Sequence, residues 1–350
     1  MDTDDRTGFR VPAEWEPHSA CVMAWPWSRR IWGGQLGAVQ QEVVEIARAI
    51  ARFEPVLMIA RPRKAARVRR LCGTAVSVLT LEADDVWTRD TAPVFAVDER
   101  RETLLGLDFT FNGWGHKTAY WRRDAALAAR LCRRLDVPRH RVHLVSEGGA
   151  VITDGEGTLI ASEECLLNPN RNPSTDRAVV EQVLARAYGA STVIWLPHGW
   201  PGDYFTDGHV DAVAAFLAPG RVLLQSTSDT GEWDTNWCAR NREALTSAVD
   251  ARGRRLEIIE ISDHADARAA KGAAAVSHVN FYLANGAAVV PIMGQPQDAA
   301  ALDLLRELLP CREVVGVPSP TLAWGGGGVH CVTQPIPRTT RPLKTEQGQA

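Results

Sequence analysis

The chain alternates between amphipathic segments and short apolar runs. The amphipathic segments are rich in Ala, Leu, Arg and Glu, and their apolar residues recur every three or four positions, which is the pattern of a helix. They predict helices at 37–53, 122–135, 174–188, 236–251 and 298–309. The apolar runs are bounded by Gly, Pro, Asn or Asp, which is typical of strands. They predict strands at 56–60, 77–81, 94–97, 149–153, 158–161, 192–196, 222–225, 256–260, 281–284, 287–292, 314–317 and 329–333.

This alternation of helices with strands predicts a mixed α/β fold. No Gly-x-Gly-x-x-Gly sequence opens a helix after the first strand, so the pattern does not match a dinucleotide-binding unit. The interior contains no proline-rich or low-complexity linker. We therefore predict a single domain at 11–337, preceded by a flexible N-terminus at 1–10 and followed by a polar tail at 338–350.

Composition and charge narrow the class of protein. The chain has 350 residues, of which 45% are hydrophobic and 23% charged, as in ordinary globular proteins. The net charge of -3 argues against a nucleic-acid partner, and the basic stretch 61–70 is interpreted as the solvated face of a helix. No apolar run approaches the roughly 20 residues of a membrane span, and the acidic N-terminus lacks the apolar region of a signal peptide. These features predict a cytoplasmic protein without a membrane partner.

The cysteines indicate free thiols. There are seven, an odd number, scattered along the chain and never spaced as Cys-x-x-Cys. This usage is typical of a reducing compartment and argues against both a disulfide framework and a zinc knuckle.

One cysteine follows a run of four glycines, in the sequence GGGGVHC at 325–331. A backbone without side chains permits a close approach or a sharp bend, and it could expose the thiol of Cys331 at the floor of a pocket. A turn beside an inert, buried cysteine is the alternative. If 329–333 is a strand, His330 and Cys331 point to opposite faces, which weakens a zinc site built on both.

Three further segments combine polar and aromatic residues. The segment 84–93 holds acids, Arg89 and Trp87, and predicts either a cation site or a surface ion pair of Arg89. Glu147 precedes two glycines, and its carboxylate either reaches a ligand or belongs to a turn. If 209–211 is extended, His209 and Asp211 share a face. They are then an acid/base pair, two metal ligands or a structural pair, and His209 could serve as the base for Cys331.

Taken in order, these segments resemble the agmatine deiminase and bacterial-type peptidylarginine deiminase family of the pentein superfold. The resemblance covers nearly the whole chain. It rests on VPAEWEPHS at 11–19, WTRDT at 87–91, FNGWG at 111–115, EGG at 147–149, DGEGT at 154–158, LLNPNRNP at 166–173, TDGHVD at 206–211 and GGGGVHC at 325–331.

The resemblance implies a fold, an activity and a set of site residues. The fold is a five-bladed α/β propeller with pseudo-fivefold symmetry. The activity is hydrolysis of a small guanidino substrate to a ureido product and ammonia through an amidino-cysteine intermediate, with agmatine to N-carbamoylputrescine as the default. The resemblance implies that no metal or organic cofactor is needed. It also implies a homodimer. The implied roles are nucleophile for Cys331, acid/base for His209, guanidinium carboxylates for Asp90 and Asp211, support for Glu147, and substrate contacts for Trp87, Phe205, Gly327 and Gly328.

Three positions depart from the family pattern. Phe205 stands where an acidic residue is common four positions before the histidine, Ala92 replaces a usual glycine, and Ala212 replaces a usual asparagine. An acid near the histidine is a natural partner for the distal ammonium of agmatine. Phe205 therefore predicts a changed preference at the far end of the substrate, with the guanidine chemistry retained.

Three other activities remain open from the sequence. An amidinotransferase would use the same cysteine and aspartates but pass the amidino group to an amine. A metal-dependent hydrolase would use His209, Asp211 and Cys331 as ligands. A guanidine-binding relative without catalysis is the third alternative.

Overall fold

The structure is a computed structural model that describes residues 8–201, 203–227, 236–263 and 277–344. Its strands form five sheets of three or four strands each. In chain order the strands are β1 (Phe9–Arg10), β2 (His18–Ala24), β3 (Val56–Ala60), β4 (Val76–Thr80), β5 (Val94–Asp98), β6 (Leu104–Thr110), β7 (Arg139–Val145), β8 (Val151–Thr153), β9 (Thr158–Ser162), β10 (Thr192–Leu196), β11 (Ala214–Ala218), β12 (Arg221–Thr227), β13 (Glu257–Asp263), β14 (Tyr282–Ala284), β15 (Ala287–Ile292), β16 (Glu313–Pro318) and β17 (Gln334–Pro337).

The helices connect strands within and between the sheets. They are α1 (Arg29–Trp32), α2 (Leu36–Ile50), α3 (Pro62–Cys72), α4 (Thr88–Thr91), α5 (Gly113–His116), α6 (Leu127–Leu135), α7 (Glu163–Leu166), α8 (Arg177–Tyr188), α9 (Asn236–Ser247), α10 (Pro296–Leu308) and α11 (Pro320–Trp324). None of the helices in the described part of the chain is long and apolar enough to cross a membrane.

One structural unit recurs in the five sheets. Two antiparallel strands are followed by a helix and then by a third strand that runs parallel to the second, as in β8, β9, α8 and β10. A parallel pair needs such a crossover, which explains why helices and strand pairs alternate in the sequence. The units β5–β7, β11–β13 and β14–β16 repeat the pattern. The predicted five-bladed α/β propeller is confirmed.

The remaining blade joins the two ends of the chain. Its antiparallel pair is β17 with β2, which places Gln334 beside Val22, and β2 then pairs parallel with β3. The C-terminal strand thus supplies the first strand of the blade that the N-terminal segment begins. Strands β2 and β3 are almost entirely buried, because α2 packs on one face of the sheet and β5, β6 and α6 of the neighbouring blade pack on the other.

The five predicted helices correspond to α2, α6, α8, α9 and α10 with shifted ends, and the basic stretch 61–70 falls in α3 as expected. Arg63, Lys64 and Arg67 of α3 are exposed, whereas Ala65 and Val68 pack inward. Most predicted strands also occur. The sequence pattern does not predict β2, β6, β7 and β11. These strands contain glycine, alanine or polar residues with a low intrinsic strand preference, so burial against neighbouring strands decides their conformation.

Two predicted strands are wrong in places that matter for the site. Residues 329–333 are not a strand: His330–Val332 forms a 3₁₀ turn, and pairing with β2 begins only at Gln334. The hydroxyl of Thr333 donates to the carbonyl oxygens of Val329 and His330 at 3.0 Å each, which stabilises the turn. Residues 149–153 are a strand only from Val151, because Gly148–Ala150 forms another 3₁₀ turn.

A buried hydrogen-bond network links the first blade to the last. Tyr282 of β14 donates its hydroxyl proton to Glu54 Oε1 at 2.6 Å, and Nδ1 of His18 in β2 lies 3.1 Å from Glu54 Oε2. The amide of Asn285 donates to the same Oε2 at 2.7 Å. All partners of this carboxylate come from the two blades that meet where the ring closes.

We predict that Tyr282→Phe destabilises the protein. The substitution removes the hydroxyl donor and leaves a buried carboxylate oxygen short of one partner, a loss of about 1–3 kcal/mol in the free energy of unfolding. Urea denaturation measures it. Tyr120→Phe, at a tyrosine whose surface is 43% exposed, is the matched control and should change nothing measurable. Equal stability of the two variants would contradict a role for this network in ring closure.

Candidate active site

The polar residues of the site come from equivalent positions in the blades. In each repeating unit they lie directly before its first strand, and the neighbouring segments contact one another. Asp90 precedes β5, Glu147 precedes β8, His209 and Asp211 precede β11, Asn280 precedes β14, and Cys331 precedes β17. The propeller therefore brings together residues that are up to 316 positions apart in sequence, as the contact between Glu14 and His330 shows.

The segment 209–211 is not extended, so the reason given for pairing His209 with Asp211 is wrong. Val210–Ala212 is a 3₁₀ turn. The two side chains nevertheless converge, because both face Gly149 on the neighbouring blade. A Cβ atom built on Gly149 would lie 2.7 Å from His209 Nδ1, 2.9 Å from Asp211 Oδ2 and 3.0 Å from Asp90 Oδ1. Only glycine at position 149 allows these three side chains to converge so closely on the backbone.

Asp90 is held by two hydrogen bonds. The Trp114 indole donates to its Oδ2 at 2.9 Å, and the Gly149 amide donates to its Oδ1 at 3.0 Å. Burial, reinforced by the nearby carboxylates of Asp211 and Glu147, raises the pKa of Asp90 to about 6. The ionised form of Asp90 is therefore poorly stabilised in the empty site, and a cationic ligand beside it would stabilise that form.

His209 is buried between carboxylates. Its Nδ1 lies 3.7 Å from Asp90 Oδ1, and its Nε2 lies 3.5 Å from Glu147 Oε2. Burial acts to lower the pKa of this imidazole. The charge of Asp90 and hydrogen bonds to Cys165 and Glu147 outweigh burial and raise that pKa well above its usual value.

Arg171 fixes the position of Glu147 relative to the loop that carries His209. This fully buried guanidinium donates from Nε to Glu147 Oε1 at 2.8 Å, from Nη1 to Asp207 Oδ2 at 2.7 Å and from Nη2 to the Thr206 carbonyl at 2.9 Å. Burial acts to raise the pKa of Glu147, but hydrogen bonding to His209 and the charge of Arg171 lower it below the usual value. Glu147 is thus held as an anion beside His209.

The Cys331 thiol faces Asp211 and Asn280. Its Sγ lies 3.8 Å from Asp211 Oδ2 and 3.4 Å from Asn280 Oδ1. Burial and the carboxylates of Asp211 and Asp90 raise the pKa of this thiol well above its usual value, and a hydrogen bond from the backbone of Gly328 opposes them. Without a ligand, the cysteine is a thiol.

His330 lies on the same side as Cys331, because the two residues share a turn instead of alternating along a strand. Its Nδ1 lies 2.8 Å from Asp211 Oδ2, and its Nε2 lies 3.0 Å from Glu14 Oε2. Arg89 donates to the same Glu14 oxygen at 2.7 Å. Its ion-pair partner is therefore Glu14 and not an acid of its own segment 84–93. An imidazole with a carboxylate at each nitrogen is doubly protonated, and Glu14 and Asp211 accordingly raise the pKa of His330 although burial and Arg89 oppose them.

The glycine run packs against aromatic side chains. A Cβ on Gly327 would lie 2.4 Å from Cζ3 of Trp87 and 3.1 Å from the Cys331 sulfur, so only glycine fits between them. Phe205 is half-buried and packs on Trp114, with ring centroids 4.8 Å apart, and its Cβ lies 4.0 Å from the position of a Cβ on Gly326. No carboxylate stands at position 205 to receive a distal ammonium.

The structure brings together every residue that the sequence analysis assigned to the site. It adds roles for Gly149, Arg171, Asn280 and His330. Gly149, Arg171 and His330 lie in motifs that carry the resemblance, whereas nothing in the sequence around Asn280 distinguishes it.

One group in the described residues has the composition of a metal site. Possible ligand atoms of Glu147, Cys165 and His209 lie within 4.8 Å of one another. It differs from the set His209, Asp211 and Cys331 weighed from the sequence. One Glu147 oxygen is already taken by Arg171, and His209, whose pKa its carboxylate neighbours raise, would have to lose a proton to bind a metal.

The propeller and its central thiol place the chain among the penteins that modify guanidino groups, and comparison with known proteins narrows the class. Residues 10–337 match the family described as Porphyromonas-type peptidyl-arginine deiminase. A putative agmatine deiminase of Streptomyces coelicolor is 40% identical over 338 residues, which cover 95% of this chain and 99% of the relative. The chain therefore belongs to this deiminase family.

Two further comparisons agree. The agmatine deiminase of Stutzerimonas stutzeri is 38% identical over 359 residues, which cover 96% of this chain and 97% of the relative. Among solved structures, an agmatine deiminase of Enterococcus faecalis, described as catalysing its reaction, has a TM-score of 0.87 at 30% identity and covers 95% of this chain and 96% of its own. The resemblance drawn from the sequence is confirmed.

We predict that Gly149→Ala abolishes most of the activity while the protein stays folded. The backbone of Gly149 does not have a positive φ, so alanine fits its conformation, but the added Cβ displaces His209, Asp211 or Asp90. A displacement of this size costs about 100-fold in kcat/KM, measured as ammonia release from a guanidino substrate.

Gly37→Ala in α2 is the matched control, since a Cβ there meets nothing within 4 Å. Near-equal activity of the two alanine variants would show that the space beside Gly149 is not where the substrate reacts.

Proposed function

We propose that this chain is an agmatine deiminase, a hydrolase that converts agmatine and water to N-carbamoylputrescine and ammonia. The observation that carries the proposal is the position of the Cys331 thiol, 3.8 Å from Asp211 in a cluster that also holds Asp90 and His209. The names of the relatives, which match nearly end to end, support agmatine as the substrate.

The guanidinium is bound by Asp90 and Asp211. A guanidinium is planar, permanently charged and carries up to five N–H donors, which carboxylates accept in pairs. These two carboxylates and His209 all converge on Gly149. A guanidinium there stabilises the ionised form of Asp90, whose pKa burial raises to about 6. Trp87 and the backbone of Gly327 and Gly328 confine its flat faces.

Substrate binding itself activates the nucleophile. Asp211 and Asp90 raise the pKa of Cys331 as long as their charges are unopposed. A bound guanidinium opposes them and adds a positive charge of its own beside the sulfur. The pKa of the thiol falls, its proton leaves to solvent, and the thiolate forms next to the carbon that it attacks.

The reaction then proceeds in two halves. The thiolate bonds to the guanidinium carbon, and the protonated His209 donates its proton to the departing nitrogen, so that ammonia leaves and an amidino-thioether remains. His209, now neutral, takes a proton from a water molecule that attacks the same carbon. The C–S bond breaks, the ureido product leaves and the thiolate is regenerated.

Assays separate this proposal from the alternatives of the sequence analysis. Ammonia release without an added amine excludes an amidinotransferase. Activity that survives a chelator excludes a metal-dependent hydrolase. Loss of turnover in Cys331→Ala excludes a protein that only binds guanidines.

We predict a covalent adduct on Cys331. Intact protein mixed with agmatine and quenched with acid should gain the mass of the amidino-thioether, which peptide mapping assigns to Cys331. Cys331→Ala is expected to show neither adduct nor ammonia, and Cys311→Ala, at an exposed thiol, is the control that keeps both. Turnover by Cys331→Ala would refute the mechanism.

We also predict that charge controls the reactivity of the thiol. A cationic haloacetamidine brings the charge that lowers the pKa of Cys331, whereas neutral iodoacetamide does not. At neutral pH the haloacetamidine should alkylate Cys331 about 10-fold faster or more, after correction for the intrinsic rates of both reagents with a small thiol.

The exposed Cys311 provides the internal comparison, because it lies outside the site and should show no such preference. The iodoacetamide rate at Cys331 should keep rising into the alkaline range, because the pKa of the thiol in the empty site is raised. Equal corrected rates for the two reagents would contradict substrate-assisted activation.

Some expectations go beyond these findings and stay predictions. They are a single catalytic domain at 11–337, a cytoplasmic location, a homodimer and the absence of a nucleic-acid partner. The ends 1–10 and 338–350 lie partly outside the described residues. Light scattering and limited proteolysis test the dimer and the domain.

A further inference from the structure

The carboxylate of Asp85 lies at the N–H edge of the Trp87 indole, and the proposed mechanism gives it no catalytic role. Asp85 accepts a hydrogen bond from the Trp87 indole on Oδ2 at 2.9 Å and another from the Trp32 indole on Oδ1 at 2.7 Å. The two rings pack side by side, with centroids 5.9 Å apart and planes tilted by 36°. Their N–H groups converge on Asp85 and hold both of its oxygens in place.

The glycine run packs against the opposite edges of the same two rings. A Cβ on Gly325 would lie 2.6 Å from Cη2 of Trp32, and a Cβ on Gly327 would lie 2.4 Å from Cζ3 of Trp87. The Cys331 sulfur lies beside Gly327. The Trp87 indole therefore spans the distance between the nucleophile at one edge and the Asp85 carboxylate at the other.

Asp85 lacks a cationic partner among the residues that the structure describes. Its neighbour Asp84 is paired with Arg123 at 2.9 Å and lies 3.7 Å from Arg61, but no such contact reaches Asp85. Burial raises the pKa of Asp85 to about 6, against the two indole hydrogen bonds that lower it. A carboxylate that is desolvated, held rigidly and uncompensated gains most from a ligand cation.

We propose that Asp85 binds the distal ammonium of the substrate and thereby selects guanidines that carry a second positive charge. This inference rests on the proposed function and extends it from the guanidinium to the other end of the molecule. The methylene chain of agmatine lies along the Trp87 ring, with its guanidinium at Cys331 and its ammonium at Asp85. The polar indole edge carries the carboxylate, and the apolar face covers the methylenes.

Asp85 also changes the meaning of Phe205. Without an acid at 205, the sequence predicts an uncharged or aromatic distal group. Phe205 instead packs on Trp114, the indole that positions Asp90, and so lines the guanidinium end. In this chain the distal ammonium is recognised by the segment before Trp87, and not by the loop before His209.

The test compares agmatine with butylguanidine, which has the same chain without the ammonium, in wild type and in Asp85→Asn. In wild type, kcat/KM should be about 10- to 100-fold higher for agmatine, the range expected for a charge-assisted contact. In Asp85→Asn this ratio should collapse toward one, because the amide carries no charge. The loss of one indole acceptor acts on both substrates alike and leaves the ratio unchanged.

Asp84→Asn is the matched control: it removes the adjacent charge without touching either indole, and the ratio should stay that of wild type. An equal loss for both substrates in Asp85→Asn, or equal kcat/KM for both in wild type, overturns the assignment of Asp85. Turnover of neither substrate by wild type overturns the proposed function instead. Turnover of butylguanidine alone overturns both the assignment of Asp85 and agmatine as the substrate, and it bears out the altered preference drawn from Phe205.

Discussion

The balance of charge at the propeller centre is the constraint on which the site depends. Four carboxylates meet there in a largely buried space, and each needs a partner because an isolated buried charge is strongly destabilising. They are Glu14, Asp90, Glu147 and Asp211, and the cations among them are Arg89, Arg171, His209 and His330. Glu147 and Asp211 are held anionic by these partners, whereas burial raises the pKa of Asp90 to about 6. In the proposed mechanism, a permanently charged planar ligand stabilises the ionised Asp90 and lowers the pKa of the thiol, so one charge serves both binding and activation.

The fold assembles these charged residues from short, separate segments of the chain. Each blade contributes the few residues before its first strand, and the buried sheet that follows anchors them. The segments are joined mainly by hydrogen bonds between side chains and backbone, such as the Gly149 amide to Asp90 and the Asn280 side chain to the Asp211 carbonyl. Such contacts fix positions to within a fraction of an ångström, which catalysis by preorganised charge requires.

The sequence predicted the class of fold and the principal site residues, and its failures have physical causes. Helices such as α2 and α8 were found because one apolar face is a local property. Strand β11, rich in alanine, was missed because its conformation depends on pairing with β12. The turn at His330–Val332 was taken for a strand because valine and threonine favour strands, whereas capping by Thr333 and docking on Asp211 decide the conformation. The sequence around Asn280 does not indicate a role for it, because that role depends on contacts between blades that lie far apart in sequence.

The pairing of β17 with β2 has a consequence for how the enzyme is made. The strand that closes the ring comes from the last described part of the chain, so this contact spans 312 positions between Gln334 and Val22 and cannot form before those residues have been synthesised. Cys331 lies three residues before that strand. A nascent or truncated chain therefore carries its acids and imidazoles without the sulfur beside them. The nucleophile joins the site only when β17 has closed the ring of blades, so the protein becomes reactive only once its fold is complete.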